Sequence, residues 1–145
     1  MNEFAGPSRF NHVAMSVPAE LLDETNRGDI CAFYKDVFGW DELPMMTIDR
    51  QRLILSVFSH DQFVFVIADD EPMRTAPGDH YGVAVDSIDE LNTVLERARG
   101  FAEKDDRVEI VDYQVEDHVV LKLHSFYVRY LLPLMVEVQY FEMTA

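Results

Sequence analysis

The sequence predicts an α+β fold in which one β-α-β-β-β unit is used twice, and three observations carry this. Residues 11–17 (Asn-His-Val-Ala-Met-Ser-Val) and 79–85 (Asp-His-Tyr-Gly-Val-Ala-Val) are matching strand patterns about half the chain apart, each with one histidine, His12 and His80, at the same place. Each is followed by a segment of helical period and then by strand-like runs. Between the halves, Pro72, Pro77 and Gly78 break regular structure and read as a linker.

The first strand is expected over about 9–17. Its side chains alternate, so Val13, Met15 and Val17 offer a bulky face to a core, while His12, Ala14 and Ser16 form a small face. A loop or short helical insertion follows from Pro18 to Gly28. Asp29 is then placed to cap a helix whose Ile30, Phe33, Tyr34 and Val37 recur at i, i+3, i+4 and i+7, with Gly39 ending it. A second strand is expected near 42–49, a turn at Asp49-Arg50-Gln51, a third strand near 52–58, a turn at Ser59-His60-Asp61 and an apolar fourth strand over 62–68.

The second half opens with the His80 strand, where Tyr81, Val83 and Val85 form the bulky face and His80, Gly82 and Ala84 the small one. Ser87-Ile88-Asp89-Glu90 reads as a capping box. Its helix carries Ile88, Leu91, Leu95 and Ala98 on one side, with Gly100 as the expected stop. Strands are expected near 107–116, 119–128 and 133–142, with Glu116-Asp117-His118 as the first turn. Each half is too small to hold a core alone. The expectation is therefore one domain over 1–145, with module 1 about 9–70 and module 2 about 79–142. Phe33, Val37, Val13, Val83, Leu91 and Leu95 are the expected helix-on-sheet core.

Composition bounds the function. With 12 basic and 27 acidic residues the net charge is −15, which repels phosphate backbones and argues against nucleic acid as a partner, and likewise against anionic membrane surfaces. No apolar run reaches the length of a bilayer span. The start, Met-Asn-Glu-Phe-Ala-Gly, lacks a basic patch followed by an apolar stretch, so no signal peptide is expected. The single cysteine, Cys31, excludes an internal disulfide and reads as a buried or half-buried thiol on a helix, which fits a cytoplasmic location.

A histidine over small neighbours, in duplicate, points to a cavity with two metal-capable side chains. Glu137 adds a third candidate. It lies in the apolar run Leu134 to Val138, where a lone carboxylate is costly unless paired or metal-bound, and alternation puts it on one face with Met135 and Gln139. Arg129 is the alternative partner for it.

Phe10-Asn11-His12-Val13-Ala14, then Phe33-Tyr34-Lys35-Asp36-Val37-Phe38-Gly39-Trp40, then Asp79-His80-Tyr81-Gly82-Val83-Ala84-Val85 before a capped helix resemble, in order and spacing, the vicinal oxygen chelate superfamily. That superfamily includes glyoxalase I, bleomycin-resistance proteins and extradiol dioxygenases, and the resemblance spans nearly the whole chain. It implies two βαβββ modules forming a curved mixed sheet around a cavity, with the helices on the outer face. It also implies metal ligands at His12, His80 and Glu137, a divalent ion (Fe²⁺, Mn²⁺, Zn²⁺ or Ni²⁺), a small-molecule ligand and a homodimer. Two histidines and one carboxylate leave open positions on such an ion.

Two features depart from the family pattern. Glyoxalase I-like members take a further carboxylate from strand 4, whereas that strand here, from Gln62 to Ala68, holds no acid, and Gln62 is the one neutral substitute. The extradiol turn before the glutamate carries an acid and a glycine, absent from Tyr130-Leu131-Leu132-Pro133-Leu134-Met135-Val136-Glu137. Further candidates are His124 as an acid or base, Tyr127 and Tyr130 as proton donors to an oxyanion, and Gln62 and Gln139 as binding groups. His60 and His118 fall in turns.

Three functions follow as expectations. The first is a metal-dependent enzyme acting on a small oxygen-rich molecule by dioxygenase, isomerase or lyase chemistry. The second is a metal-free protein that sequesters a small molecule or antibiotic, as in the bleomycin-resistance branch. The third is a catalytically inactive assembly domain.

Overall fold

The computed structural model describes Glu3 and residues 6–144; most of the N-terminal stretch read for a leader lies outside the described residues. The chain forms β1 (His12–Val17), a 3-10 turn (Ala19–Leu22), α1 (Glu24–Phe38), β2 (Asp41–Glu42), a second 3-10 turn (Pro44–Met46), β3 (Arg52–Ser56) and β4 (Phe63–Ala68). The second half repeats the plan with β5 (His80–Ala84), α2 (Ile88–Ala102), β6 (Val108–Asp117), β7 (Leu121–Tyr130) and β8 (Met135–Met143). Among the described residues no helix is long and apolar enough to cross a membrane.

The strands make two four-stranded mixed sheets, ordered β1-β4-β3-β2 and β5-β8-β7-β6. We call them sheets A and B. In each, the first strand pairs in parallel with the last and the remaining pairs are antiparallel. The registers correspond: Ala14 lies opposite Phe65 in sheet A as Gly82 lies opposite Glu137 in sheet B.

Local chemistry sets the helix ends, and here the sequence expectation needs correction. α1 starts one turn and a half early because Asp23, not Asp29, caps it, its carboxylate accepting from the Asn26 N–H at 2.8 Å. Gly28 is absorbed into the helix, and Asp29 pairs with Arg107 instead. Gly39 does end α1, at φ 75°, a conformation that glycine adopts at least cost, with its N–H on the Lys35 carbonyl. Ser87 caps α2 and accepts from the Glu90 N–H, but Glu90 reaches back to the Asp86 N–H rather than to that of Ser87. Gly100 does not stop α2, which runs on to Ala102. The expected strand over 42–49 is two residues long, because Pro44 starts a 3-10 turn there and removes a ladder donor.

One hydrophobic cluster serves both modules. Ile30, Phe33, Tyr34 and Val37 of α1, Leu91, Leu95 and Ala98 of α2, and Phe126, Val128, Val136 and Val138 of sheet B are all buried, while Val13 and Val83 are partly covered. The Phe33 ring stacks on Tyr130 of β7 with centroids 4.6 Å apart and meets Phe101 of α2 edge-on at 5.1 Å. A helix from module 1 is thus wedged against a strand of module 2. The apolar hairpin from Leu131 to Met135 is largely core, with Leu132 fully enclosed.

β6 is an edge strand with a bulge between Val111 and Gln114. At the core end of β6, Asp105 accepts from Arg107 at 2.7 Å and from the Tyr130 hydroxyl at 2.6 Å. These bonds, Arg107's first, hold the Asp105 carboxyl well below the usual carboxylate range.

Two outcomes check this packing. Leu95→Ala should cost roughly 2–5 kcal/mol in unfolding free energy, the range for a buried leucine; a loss near zero in urea titration would place the wrong face of α2 inward. A carboxyl with a lowered folded pKa stabilises above its unfolded value and loses that contribution as pH falls. Asp105→Asn should therefore lower the urea midpoint at neutral pH, and the gap to wild type should close as the pH drops below about 4.

Candidate functional site

Strand parity gives each sheet a helix-covered face and an open one. On the open face of sheet B, β5 presents His80, Gly82 and Ala84, β8 presents Glu137 and Gln139, and β7 presents Ser125 and Tyr127. Tyr127 lies directly across from Glu137 in the β7–β8 ladder, and Gly82 across from Glu137 on the other side.

These side chains form a compact polar group. His80 Nε2 is 3.5 Å from Glu137 Oε1, and Gln139 Nε2 donates to the same oxygen at 2.8 Å. The Tyr127 ring meets His80 edge-on at 5.2 Å. Burial first, then the adjacent Glu137 carboxylate, push the Tyr127 phenol up to about 12, so it stays a proton donor at neutral pH. Glu137 is only 7% exposed, and Arg129, its expected alternative partner, bonds to Glu109 and the Pro133 carbonyl instead.

The histidine tautomer follows from its other nitrogen. His80 Nδ1 lies 2.8 Å from the Gly78 carbonyl, which only accepts, so Nδ1 carries the hydrogen. In the neutral ring Nε2 then presents a lone pair toward the Glu137 carboxylate. Two acceptors facing each other at this range call for a proton or a cation between them. His12 is arranged alike: its Nδ1 sits 2.7 Å from Asn11 Oδ1, which leaves Nε2 as the free lone pair, and its ring stacks on Phe63 at 4.7 Å. The residues present therefore fit a divalent cation with imidazole and carboxylate donors.

One chain does not gather the trio. Among the described residues no three His, Cys, Asp or Glu side chains lie close enough together to hold an ion. His80 and Glu137 meet; His12 stands apart on the open face of sheet A. That face carries Ala14, Ser16, Ile54, Phe63, Phe65 and Ile67, and its β4 holds no acid.

Other candidates fall elsewhere. His124 is on the opposite face of sheet B from Glu137, since β7 alternates and Tyr127 is the residue that faces the site. There it bonds through Nε2 to Glu142 at 2.6 Å and through Nδ1 to the Tyr113 hydroxyl. Tyr130 shares that helix-side face, tied to Asp105 and Arg107 and stacked on Phe33. Gln62 is bound into the β3–β4 turn by its N–H to the Ser59 carbonyl, and its side chain accepts from the Ser59 hydroxyl. The sequence marks Gly78 only as part of the linker, and no side-chain signal reveals that its carbonyl fixes His80.

No family sequence model matches the chain, and no curated protein sequence does. Solved structures do match in shape. A lactoylglutathione lyase from Agrobacterium tumefaciens superposes with a TM-score of 0.61 at 19% identity, over 93% of this chain and 95% of that one. A glyoxalase/bleomycin resistance protein/dioxygenase from Alicyclobacillus acidocaldarius gives 0.65 at 13% identity, over 95% of each. The fosfomycin resistance protein FosX from Listeria monocytogenes gives 0.59 at 14% identity, over 93% of this chain and 94% of its own. The chain therefore has the fold of the vicinal oxygen chelate superfamily.

His124 supplies a check on this placement. His124→Gln should cost about 1 kcal/mol through its lost bonds to Tyr113 and Glu142 and leave any divalent-cation binding by the protein unchanged in calorimetry. A loss of cation binding would return His124 to the site.

Proposed function

We propose that the protein is a divalent-metal-dependent enzyme of the vicinal oxygen chelate type, acting as a homodimer on a small molecule that presents adjacent oxygens. The observation that supports it most is the buried Glu137 carboxylate facing the free lone pair of His80 Nε2 at 3.5 Å. With the ring neutral, that arrangement leaves room for a proton or a cation between two groups that otherwise repel.

His80 and Glu137 from one copy and His12 from the second would hold the ion. His12 has the right free nitrogen but lies on the other sheet, so a second copy's sheet A laid over sheet B brings the three together. The open faces suit such a cover. Ile67 of sheet A, and Val111, Phe141 and Met143 of sheet B, are large apolar residues left exposed in one chain, and sheet faces of this kind are stabilised when covered.

Bound there, a divalent ion supplies Lewis-acid polarisation of the substrate's paired oxygens. The chain's own groups do the rest. Gln139 holds Glu137 in place through its amide. Tyr127, protonated and beside the carboxylate, can donate a hydrogen bond to developing negative charge on a substrate oxygen. Dioxygenase, isomerase and lyase outcomes all use these parts.

A second reading rests on the Gln139 amide, which already satisfies one oxygen of Glu137 without an ion. With the apolar face of sheet A, it would suit a metal-free protein that sequesters a small molecule.

Mixing two damaged variants separates these readings. His12→Ala and Glu137→Ala should each bind zinc or manganese weakly as pure dimers. After subunit exchange about a quarter of the wild-type sites should return, because half of the dimers are mixed and each mixed dimer holds one intact site. Elemental analysis after desalting, and calorimetry, read this directly. Binding should also weaken in acid, since protonated histidine cannot ligate. An unchanged affinity in the His12→Ala/His80→Ala double variant would leave the sequestering protein as the better reading.

A further inference from the structure

The bulge in β6 decides where Tyr113 points. The ladder to β7 pairs Val111 with Tyr127 and Gln114 with Ser125, so Asp112 and Tyr113 both stand against Phe126. In an unbroken strand Tyr113 would share the open face with Val111. The extra residue turns its ring to the helix side, where it lies beside His124 with ring centroids 5.7 Å apart. Asp112 is on that side too, held by Arg99 of α2 at 2.6 Å.

Three side chains then form a hydrogen-bonded series across β8, β7 and β6. Glu142 Oε2 lies 2.6 Å from His124 Nε2. A carboxylate only accepts, so Nε2 carries the hydrogen. Nδ1 is left as a lone pair, and the Tyr113 hydroxyl donates to it. His124 is only 8% exposed, between the rings of Tyr113 and Tyr140, whereas Tyr113 is 37% exposed. A carboxylate thus orients an imidazole whose free nitrogen faces the proton of an accessible hydroxyl. Orienter, base and nucleophile hold the roles of a hydrolase triad. The site built on His80 and Glu137 uses none of them and lies on the opposite face, so a second copy laid over the open faces leaves Tyr113 accessible.

We propose that Tyr113 is a second reactive centre, independent of any metal: a phenol that His124 activates to accept an acyl group from an uncharged, activated ester. Burial first, then the Glu142 charge, hold the phenol above its ordinary range. It is therefore not ionised at neutral pH, and its proton must leave to a base as the new bond forms. The phenol oxygen attacks the acyl carbonyl, and its proton passes to His124 Nδ1. Glu142 balances the imidazolium charge through Nε2. The ester's C–O bond then breaks, and the leaving oxygen departs with the electron pair and takes the proton from Nδ1. The products are an acyl-tyrosine and the free alcohol, with His124 neutral again.

The surroundings choose the electrophile. Lys122 stands directly across from Asp117 and Glu142 in the two ladders, and Arg99 bonds to Asp112 and Glu96. Four acids therefore face two cations around the phenol. A phosphoryl or sulfuryl donor meets net negative charge there. A neutral acyl group meets Val115 instead, which shares the face of His124 and is 46% exposed, and the Tyr140 ring beside it.

4-Nitrophenyl acetate is the probe, and peptide mass mapping locates the acetyl groups. At neutral pH Tyr113 of the wild-type protein should be acetylated, and EDTA should leave the rate unchanged. His124→Gln should slow acetylation of Tyr113 roughly a hundredfold, the lower end of what a positioned base contributes, and Glu142→Gln should slow it too. In His124→Gln the rate should rise only as the phenol ionises, above about pH 10, whereas wild type should already react near neutrality. A merely structural histidine would not move this profile. The wild-type profile keeps the test decisive even where a variant fails to fold: a rate that waits for phenol ionisation overturns the proposal. Equal rates in wild type and His124→Gln at neutral pH, loss of acetylation with EDTA, or acetyl groups on Lys122 with none on Tyr113 overturn it as well.

Discussion

The stack of Phe33 on Tyr130 is the contact on which the arrangement of the site depends. It joins the helix of the first module to a strand of the second, and around it α1, α2 and the inner faces of both sheets make one core. Burying a ring of this size contributes about 1.5–3 kcal/mol, and the surrounding leucines and valines add to it. Its consequence is topological. The helix-side faces are used up in that shared core, so the histidine-bearing faces are the ones left open. A single chain therefore keeps His80 and Glu137 together and leaves His12 apart.

The duplicated plan was legible because it is written twice. The matched histidines, the small residues beside them and the Ser87 cap all follow from alternation and from short-range hydrogen bonding. Glu137 stood out because an acid in an apolar strand is costly without a partner. What the sequence did not reveal was competition between similar local signals. Asp23 and Asp29 are both capable caps, and only packing of Leu22 and Ile30 decides between them. Pro44 shortened a strand whose apolar content looked sufficient. Gly100 has the composition of a helix stop, yet Phe101 packs against the core cluster and the helix runs past it.

His124, Tyr127 and Tyr130 show how much parity alone can decide. An even and an odd position of one strand cannot face the same cavity. With Tyr127 opposite Glu137, His124 and Tyr130 belong to the other side. Both are well explained there: Tyr130 as a core ring with a hydrogen-bonded tip, His124 as a link between Tyr113 and Glu142. The two halves of the molecule have thus diverged in different directions from one plan, module 2 keeping polar groups around its histidine and module 1 surrounding its own with hydrocarbon.

The irregular edge of sheet B bears on how copies meet. β6 ends the strand order and would offer its unpaired amides and carbonyls to any passing strand. The bulge between Val111 and Gln114 breaks the spacing those groups need for continuous pairing. Glu109, Asp112, Glu116 and Asp117 line the same strand, the first two tied to Arg129 and Arg99, so an approaching strand meets charged side chains rather than a flat apolar edge. Growth by strand addition, the route to open-ended fibres, is therefore obstructed at this border. Association is left to the broad faces, where a closed pair has a natural end point.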